Sequence, residues 1–236
     1  MWSGPRNLST AMMRSFGARP DCAVWDEPFY AAYLARTGLD HPMGAEIIAA
    51  GETDADKVAR RCAGEAPGGK RLFYQKHMTQ HMVAGFPRGW MADVVNVFLI
   101  RDPEQVVASY AAKRENPDFG EIGFGLQAEL FEEVAEREGV APAVVDSADI
   151  LADPRGMLTA LCARIGIGFS ERMLRWKQGP HPDDGVWAAH WYRSVWSSTG
   201  FAAPKHREVT LPDAELRLAE RARPYYERLR AYRITA

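Results

Sequence analysis

Six residues, Val95-Asn96-Val97-Phe98-Leu99-Ile100, constrain this chain more than any others. The run is apolar and rich in β-branched side chains, without the in-out alternation of a strand that has one wet face. It therefore predicts a strand covered on both sides, as in a parallel sheet. It stops at Arg101-Asp102-Pro103-Glu104-Gln105. Asp102 is suited to cap a helix, Pro103 to its first position, and Gln105 to the capping box. Arg101 is thus expected at the carboxyl end of a strand, with Ser109 two turns along the next helix. Ligands of open α/β sheets bind outside the carboxyl ends of the strands. A cation at that end with a hydroxyl nearby predicts an anion site.

The remaining chain repeats the alternation of strand and helix. Cys22–Trp25, Arg71–Lys76 and Ala143–Val145 read as strands. Phe29–Arg36, Ala45–Ala50, Ala55–Cys62, Pro103 to about Arg114, Leu126–Glu138 and Met157–Ile165 read as helices. This order predicts an α/β fold of three layers around a mostly parallel sheet. The final helix carries an apolar stripe at Leu211, Ala214, Leu218, Ala222, Tyr225, Leu229 and Tyr232, with a kink or restart expected at Pro224. Residues 176–207 are rich in tryptophan and show little periodicity. No linker or repeat divides residues 1–236, so a single domain is expected.

A second anion loop opens the chain. Ser3-Gly4-Pro5-Arg6-Asn7-Leu8 runs into Ser9-Thr10 and then an apolar set at helical spacing, Leu8, Met12 and Phe16. Backbone N–H groups at a helix start, with a guanidinium beside them, attract phosphate or sulfate. The Gly-Lys-Ser/Thr triplet of a Walker A loop is absent, which argues against a kinase or nucleotide hydrolase. A loop of this kind should follow a strand. The chain begins at Met1-Trp2, leaving no room for a full one, and truncated numbering is expected over a shortened strand.

Together these segments resemble the sulfotransferases that use 3′-phosphoadenosine 5′-phosphosulfate (PAPS). Pro5, Arg6, Ser9 and Thr10 match the family's phosphosulfate loop, which also spans Asn7 and Leu8. Arg101, Asp102, Pro103 and Ser109 match its 3′-phosphate motif. Ala143–Asp146 leading to Asp153-Pro154, and the Ile165-Gly166-Ile167 turn, fit the family's order. The likeness spans roughly residues 3 to 170. It is closest to a bacterial branch sometimes labelled branched-chain aminotransferase-like. An aminotransferase reading has no support, because no lysine lies in a pyridoxal-phosphate context. The resemblance implies a P-loop-like fold, PAPS as sulfuryl donor and no metal. It also implies a small-molecule hydroxyl or amine as acceptor.

Sulfuryl transfer needs a base for the acceptor's proton and stabilisation of the bridging oxygen. Two candidates for the base stand open. Glu27 ends the strand expected beside the phosphosulfate loop, where its alternative role is to cap the next helix with Asp26. His77 follows Lys76 at another strand end, where the lysine would neutralise the leaving phosphate. His77 and His81 would share a face if that segment were helical, but they lack the His-Glu-x-x-His pattern of a zinc site. Phe29, Tyr30 and Tyr33 are candidates to line an acceptor pocket, and Trp196–Phe201, which contains Gly200, is a candidate lid. His41, His181, His190 and His206 carry no partner logic. A catalytically silent nucleotide-binding module could keep both anion sites without Glu27 or His77.

A net charge of −2 and a pI near 6.3 argue against a general nucleic-acid or membrane-surface binder. No apolar run reaches the length of a membrane span. Cys22, Cys62 and Cys162 are odd in number and widely spaced, which gives no disulfide framework. A cytoplasmic location is expected.

Overall fold

The computed structural model describes residues 1–112, 118–203 and 209–236. Five parallel strands form one sheet: β1 (Trp2–Ser3), β2 (Cys22–Asp26), β3 (Leu72–Met78), β4 (Val97–Ile100) and β5 (Ala143–Asp146), in the order β2-β3-β1-β4-β5. β1 has two residues yet lies at the centre. Trp2 pairs with His77 on one side and Phe98 on the other, and Ser3 with Met78 and Leu99. The Met1 ammonium donates to the Gln75 carbonyl at 3.0 Å, and burial lowers its pKa to about 5.

The unalternating apolar run becomes the buried β4 because it is covered twice. Phe98 and Ile100 face one core with Val144. Val97 and Leu99 face the other with Ala143 and Val145. The first core is closed by α5 (Pro103–Ala111), α6 (Phe124–Glu138) and α11 (Asp213–Arg230). The second is closed by α1 (Ser9–Gly17), α2 (Tyr30–Thr37) and α8 (Pro154–Arg164). The expected three layers are present.

Shorter helices are α3 (Gly44–Ala50), α4 (Ala55–Cys62), α7 (Ser147–Ala152), α9 (Ala188–Trp191) and α10 (Arg193–Trp196). Asp102 caps α5 as expected, its carboxylate accepting from the Glu104 and Gln105 N–H groups. The predicted end of that helix near Arg114 lies outside the described residues.

Two expectations change. The last helix runs through Pro224 without a restart. β3 continues to Met78 and is followed by one 3₁₀ turn, Thr79–His81, so His77 and His81 do not share a helix face. The three cysteines are buried and free.

Candidate active site

The Gly4–Leu8 loop turns sharply out of β1. Arg6 and Leu8 both take left-handed backbone, with φ of 60° and 64°. Such conformations cost non-glycine residues about 1–3 kcal/mol each and persist only where the surroundings fix them. The fixing contacts are visible. The Asn7 side-chain amide donates to the Leu99 carbonyl at 2.7 Å, and Gln127 donates to the same carbonyl at 2.9 Å. Leu8 then opens α1 with no side-chain cap, so the first-turn N–H groups are left for a ligand.

The two anion motifs, a hundred residues apart in sequence, meet here. Arg6 Nε donates to Ser109 Oγ at 3.0 Å, and Arg101 Nη1 donates to the Arg6 carbonyl at 2.6 Å. Neither guanidinium is paired with a carboxylate among the described residues. Asp102, the nearest acid in sequence, is instead held by Arg223 at 2.5 Å. Burial lowers the Arg6 pKa, and burial together with Arg6 lowers that of Arg101. Two cations held close together in a part-buried cleft have the charge and geometry that suit an anion.

Pro5, Arg6, Asn7, Leu8, Ser9, Thr10, Arg101 and Ser109 line one cleft of about 240 Å³, and so do Glu27 and Lys76, which stand at β2 and β3 on the other side of β1 from Arg101. The strand order corrects one expectation: β2 is not beside β1, because β3 lies between them. Glu27 follows β2 directly, at φ 42°, with its N–H on the Lys76 carbonyl at 2.9 Å. Lys76 is 1% exposed. Its ammonium contacts Glu27 Oε1 at 2.6 Å, Asp26 Oδ1 at 2.9 Å and the Tyr192 hydroxyl at 2.5 Å. Three N–H donors thus meet three acceptors, leaving none for a leaving phosphate.

Burial would lower the Lys76 pKa, but the two carboxylates outweigh it and the net shift is upward. Burial raises that of Glu27 despite Lys76. Glu27 Oε2 faces His81 Nε2 at 4.0 Å.

His77 is not brought to this cleft. Successive residues of a strand point to opposite faces, and His77 stacks on Trp2 with ring centroids 4.5 Å apart, its Nε2 on Gln75 Oε1. Burial lowers its pKa well below the ordinary value. His81 lines the cleft instead, stacked on Tyr30 at 4.5 Å and Tyr33 at 4.8 Å. Burial lowers its pKa likewise. Its presence depends on the turn after β3, which no periodicity in the sequence announced.

His41 also reaches the cleft, hydrogen-bonded to the Tyr30 hydroxyl. His190 packs edge-on against Trp191, and His206 lies outside the described residues. Of the three expected aromatic liners only Tyr30 reaches the cleft, while Phe29 packs on Trp90 and Tyr33 on His81.

The tryptophan-rich segment closes the cleft with Trp191, Tyr192, Ser194 and Val195. The expected lid residues lie elsewhere: Gly200 bridges Arg175 and Ser198 accepts from Trp176 Nε1. Residues 204–207 of that segment lie outside the described residues. A buried ion pair of 2.7 Å between Arg14 of α1 and Asp184 ties the segment to the anion loop's own helix. Trp196 Nε1 donates to the same carboxylate at 2.9 Å. Tyr192 ties the segment to Asp26, at 2.7 and 2.9 Å. Among the described residues no group of three or more His, Cys, Asp or Glu is arranged to hold a metal, and no helix is long and apolar enough to cross a membrane.

Comparison with known proteins agrees with this architecture. Residues 1–233 match the sulfotransferase domain family. Two curated relatives from Arabidopsis thaliana, branched-chain-amino-acid aminotransferase-like proteins 1 and 2, are 38% and 36% identical over 231 residues. The alignment covers 98% of this chain and 41% of each relative, so the chain spans about two fifths of their length. Among solved structures, the sulfotransferase domain from the curacin biosynthetic pathway superposes with a TM-score of 0.55 at 16% identity. That superposition covers 93% of this chain and 95% of that domain, a likeness of fold. The chain belongs to the sulfotransferase domain family.

Proposed function

We propose that this sulfotransferase-domain chain moves a sulfuryl group from PAPS to a hydroxyl or amine of a small molecule. One observation carries the reading most directly. The Arg6–Ser109 and Arg101–Arg6 hydrogen bonds join two anion motifs into one unneutralised cationic site, and a carboxylate stands across the same cleft. A nucleotide with phosphate groups at both ends of its ribose needs two anion sites at once. The left-handed turns at Arg6 and Leu8 and the uncapped start of α1 suit such groups.

In this reading the loop N–H groups, Ser9, Thr10 and Arg6 hold the phosphosulfate, while Arg101 and Ser109 hold the 3′-phosphate. The bound donor supplies the sulfuryl group and a phosphate leaving group. Glu27 takes the acceptor's proton. Lys76 holds Oε1 in place, so Oε2 is the oxygen left to receive it. Burial favours the protonated carboxyl, which makes Glu27 a stronger base than an exposed carboxylate. Lys76 therefore acts by orienting Glu27 and not as a partner of the leaving group. Placing reactants in line does most of the rest, and the chemistry calls for no covalent enzyme intermediate.

A thermal-shift comparison tests the donor. 3′-Phosphoadenosine 5′-phosphate at a hundred times its dissociation constant is expected to stabilise the fold by about 2.7 kcal/mol. ATP with Mg²⁺ at the same concentration is expected to do less. An equal or larger shift with ATP would replace this reading by a nucleoside-triphosphate one.

A further inference from the structure

The two ends of the cleft differ in charge. The anion end carries Arg6 and Arg101, neither neutralised by a described carboxylate. The opposite end carries Asp26, Glu27 and Lys76. Here the lysine's three N–H groups are all taken, by the two carboxylates and by Tyr192. By formal charge, one ammonium and two carboxylates leave this end with one negative charge in excess, and the ammonium has no N–H left to donate. Burial lowers the His81 pKa, and the His41 ring nitrogen is hydrogen-bonded to the Tyr30 hydroxyl. Tyr30, Trp191, Met78 and Val195 give the cleft its apolar surface. Three buried polar atoms of the lining lack a partner among the described residues: Asn7 Oδ1, Gln80 Oε1 and His81 Nδ1. His81 Nδ1, on a side chain 5% exposed, makes no hydrogen bond among the described residues.

We propose that the end of the cleft at Glu27 is an acceptor subsite for an uncharged or cationic molecule. That molecule has a ring-sized apolar body and rejects carboxylate- or phosphate-bearing analogues. This rests on the sulfotransferase reading above and adds the acceptor's charge class to it. The physical basis is electrostatic selection in a water-poor site. An anion brought beside Glu27 meets two carboxylates against one ammonium whose N–H groups are already taken, whereas a neutral ring covers Tyr30 and Trp191 at no such cost. A cationic acceptor gains from Glu27.

Three single-ring probes separate the classes: 4-methylphenol, neutral; tyramine, cationic; and 4-hydroxybenzoate, anionic. Their binding to the full chain at pH 7 is measured by calorimetry, with and without saturating 3′-phosphoadenosine 5′-phosphate. The neutral and cationic probes are expected to bind, with 4-hydroxybenzoate at least tenfold weaker. Glu27→Gln is expected to shrink that gap to less than threefold. Trp191→Ala is expected to weaken all three while keeping the gap, which gives a second variant should Glu27→Gln not fold.

Equal binding of 4-hydroxybenzoate and 4-methylphenol overturns the proposal, as does a gap that survives Glu27→Gln, or no binding by any probe. Failure of the nucleotide to bind would instead count against the donor, and the probe series without nucleotide still reads the acceptor end.

Discussion

Replacing Lys76 with methionine is the sharpest test of how the far side of the cleft is held together. The substitution keeps most of the side chain's volume and removes its charge. The side chains of Lys76 and Asp26 are 2% exposed and that of Glu27 10%, with contacts of 2.9 and 2.6 Å between the ammonium and the carboxylates. Removing one member of a buried ionic cluster strands the charges of the others, at a cost of about 3–5 kcal/mol. At about 2.1 cal/mol/K of unfolding entropy per residue, a 236-residue chain has roughly 0.5 kcal/mol/K at its midpoint. The expected drop in Tm at pH 7 is then about 6–10 °C.

Circular-dichroism melts across pH read the sign. The Lys76 pKa is raised by folding, so the stability this group brings is complete below the ordinary lysine value of 10.5 and is lost as pH rises past the folded value. The wild-type and Lys76→Met curves should therefore converge above that range. They should also converge toward pH 5, because Glu27, whose pKa burial already raises, takes up a proton more readily once Lys76 is gone. Adding Asp26→Asn and Glu27→Gln to Lys76→Met should recover at least half of the loss. A single variant melting within about 2 °C of the wild type at pH 7 would refute the claim that Lys76 is the cluster's counter-charge.

Other substitutions separate the remaining roles. Arg101→Ala should weaken 3′-phosphoadenosine 5′-phosphate by roughly 1.5–3 kcal/mol, the value of a charge-assisted contact, and leave adenosine 5′-phosphosulfate unchanged in the same titration. Equal losses would remove Arg101 from the 3′-phosphate. Glu27→Gln should lower turnover by about 10²–10⁴ with little change in nucleotide affinity, whereas His77→Asn should leave kcat alone and lower Tm. The opposite ranking in a sulfate-transfer assay would return the base to His77. Asn7→Ala removes the buried 2.7 Å bond to Leu99 that fixes the loop. It should cost about 1–3 kcal/mol in a denaturant melt and weaken nucleotide binding along with it; unaltered affinity would mean that the Arg101–Arg6 and Arg6–Ser109 bonds hold the loop without Asn7.

Local chemistry made much of this molecule legible in its sequence. Val97–Ile100 is apolar on both faces because both faces are covered, and Asp102-Pro103 can start a helix but not continue a strand. The anion loop declared itself through Arg6, Ser9 and Thr10, since those groups act through their own backbone and side chains. What the sequence left open was set by geometry between distant segments. In sequence Glu27 is the first candidate for the base and His77 its rival, because each follows or ends a strand. The pleat of β3 sends Lys76 into the cleft and His77 into the opposite core against Trp2. The pairing of Lys76 with Asp26, Glu27 and Tyr192 joins three segments up to 166 residues apart, and no local pattern encodes a distance of that kind. The arrival of His81, His41 and Trp191 at the same wall likewise follows from a 3₁₀ turn, a loop and a short helix that carry no periodic signal. Sequence determined which groups could bind an anion or take a proton; only the packing of the sheet and its covering segments determined which of them face the same space.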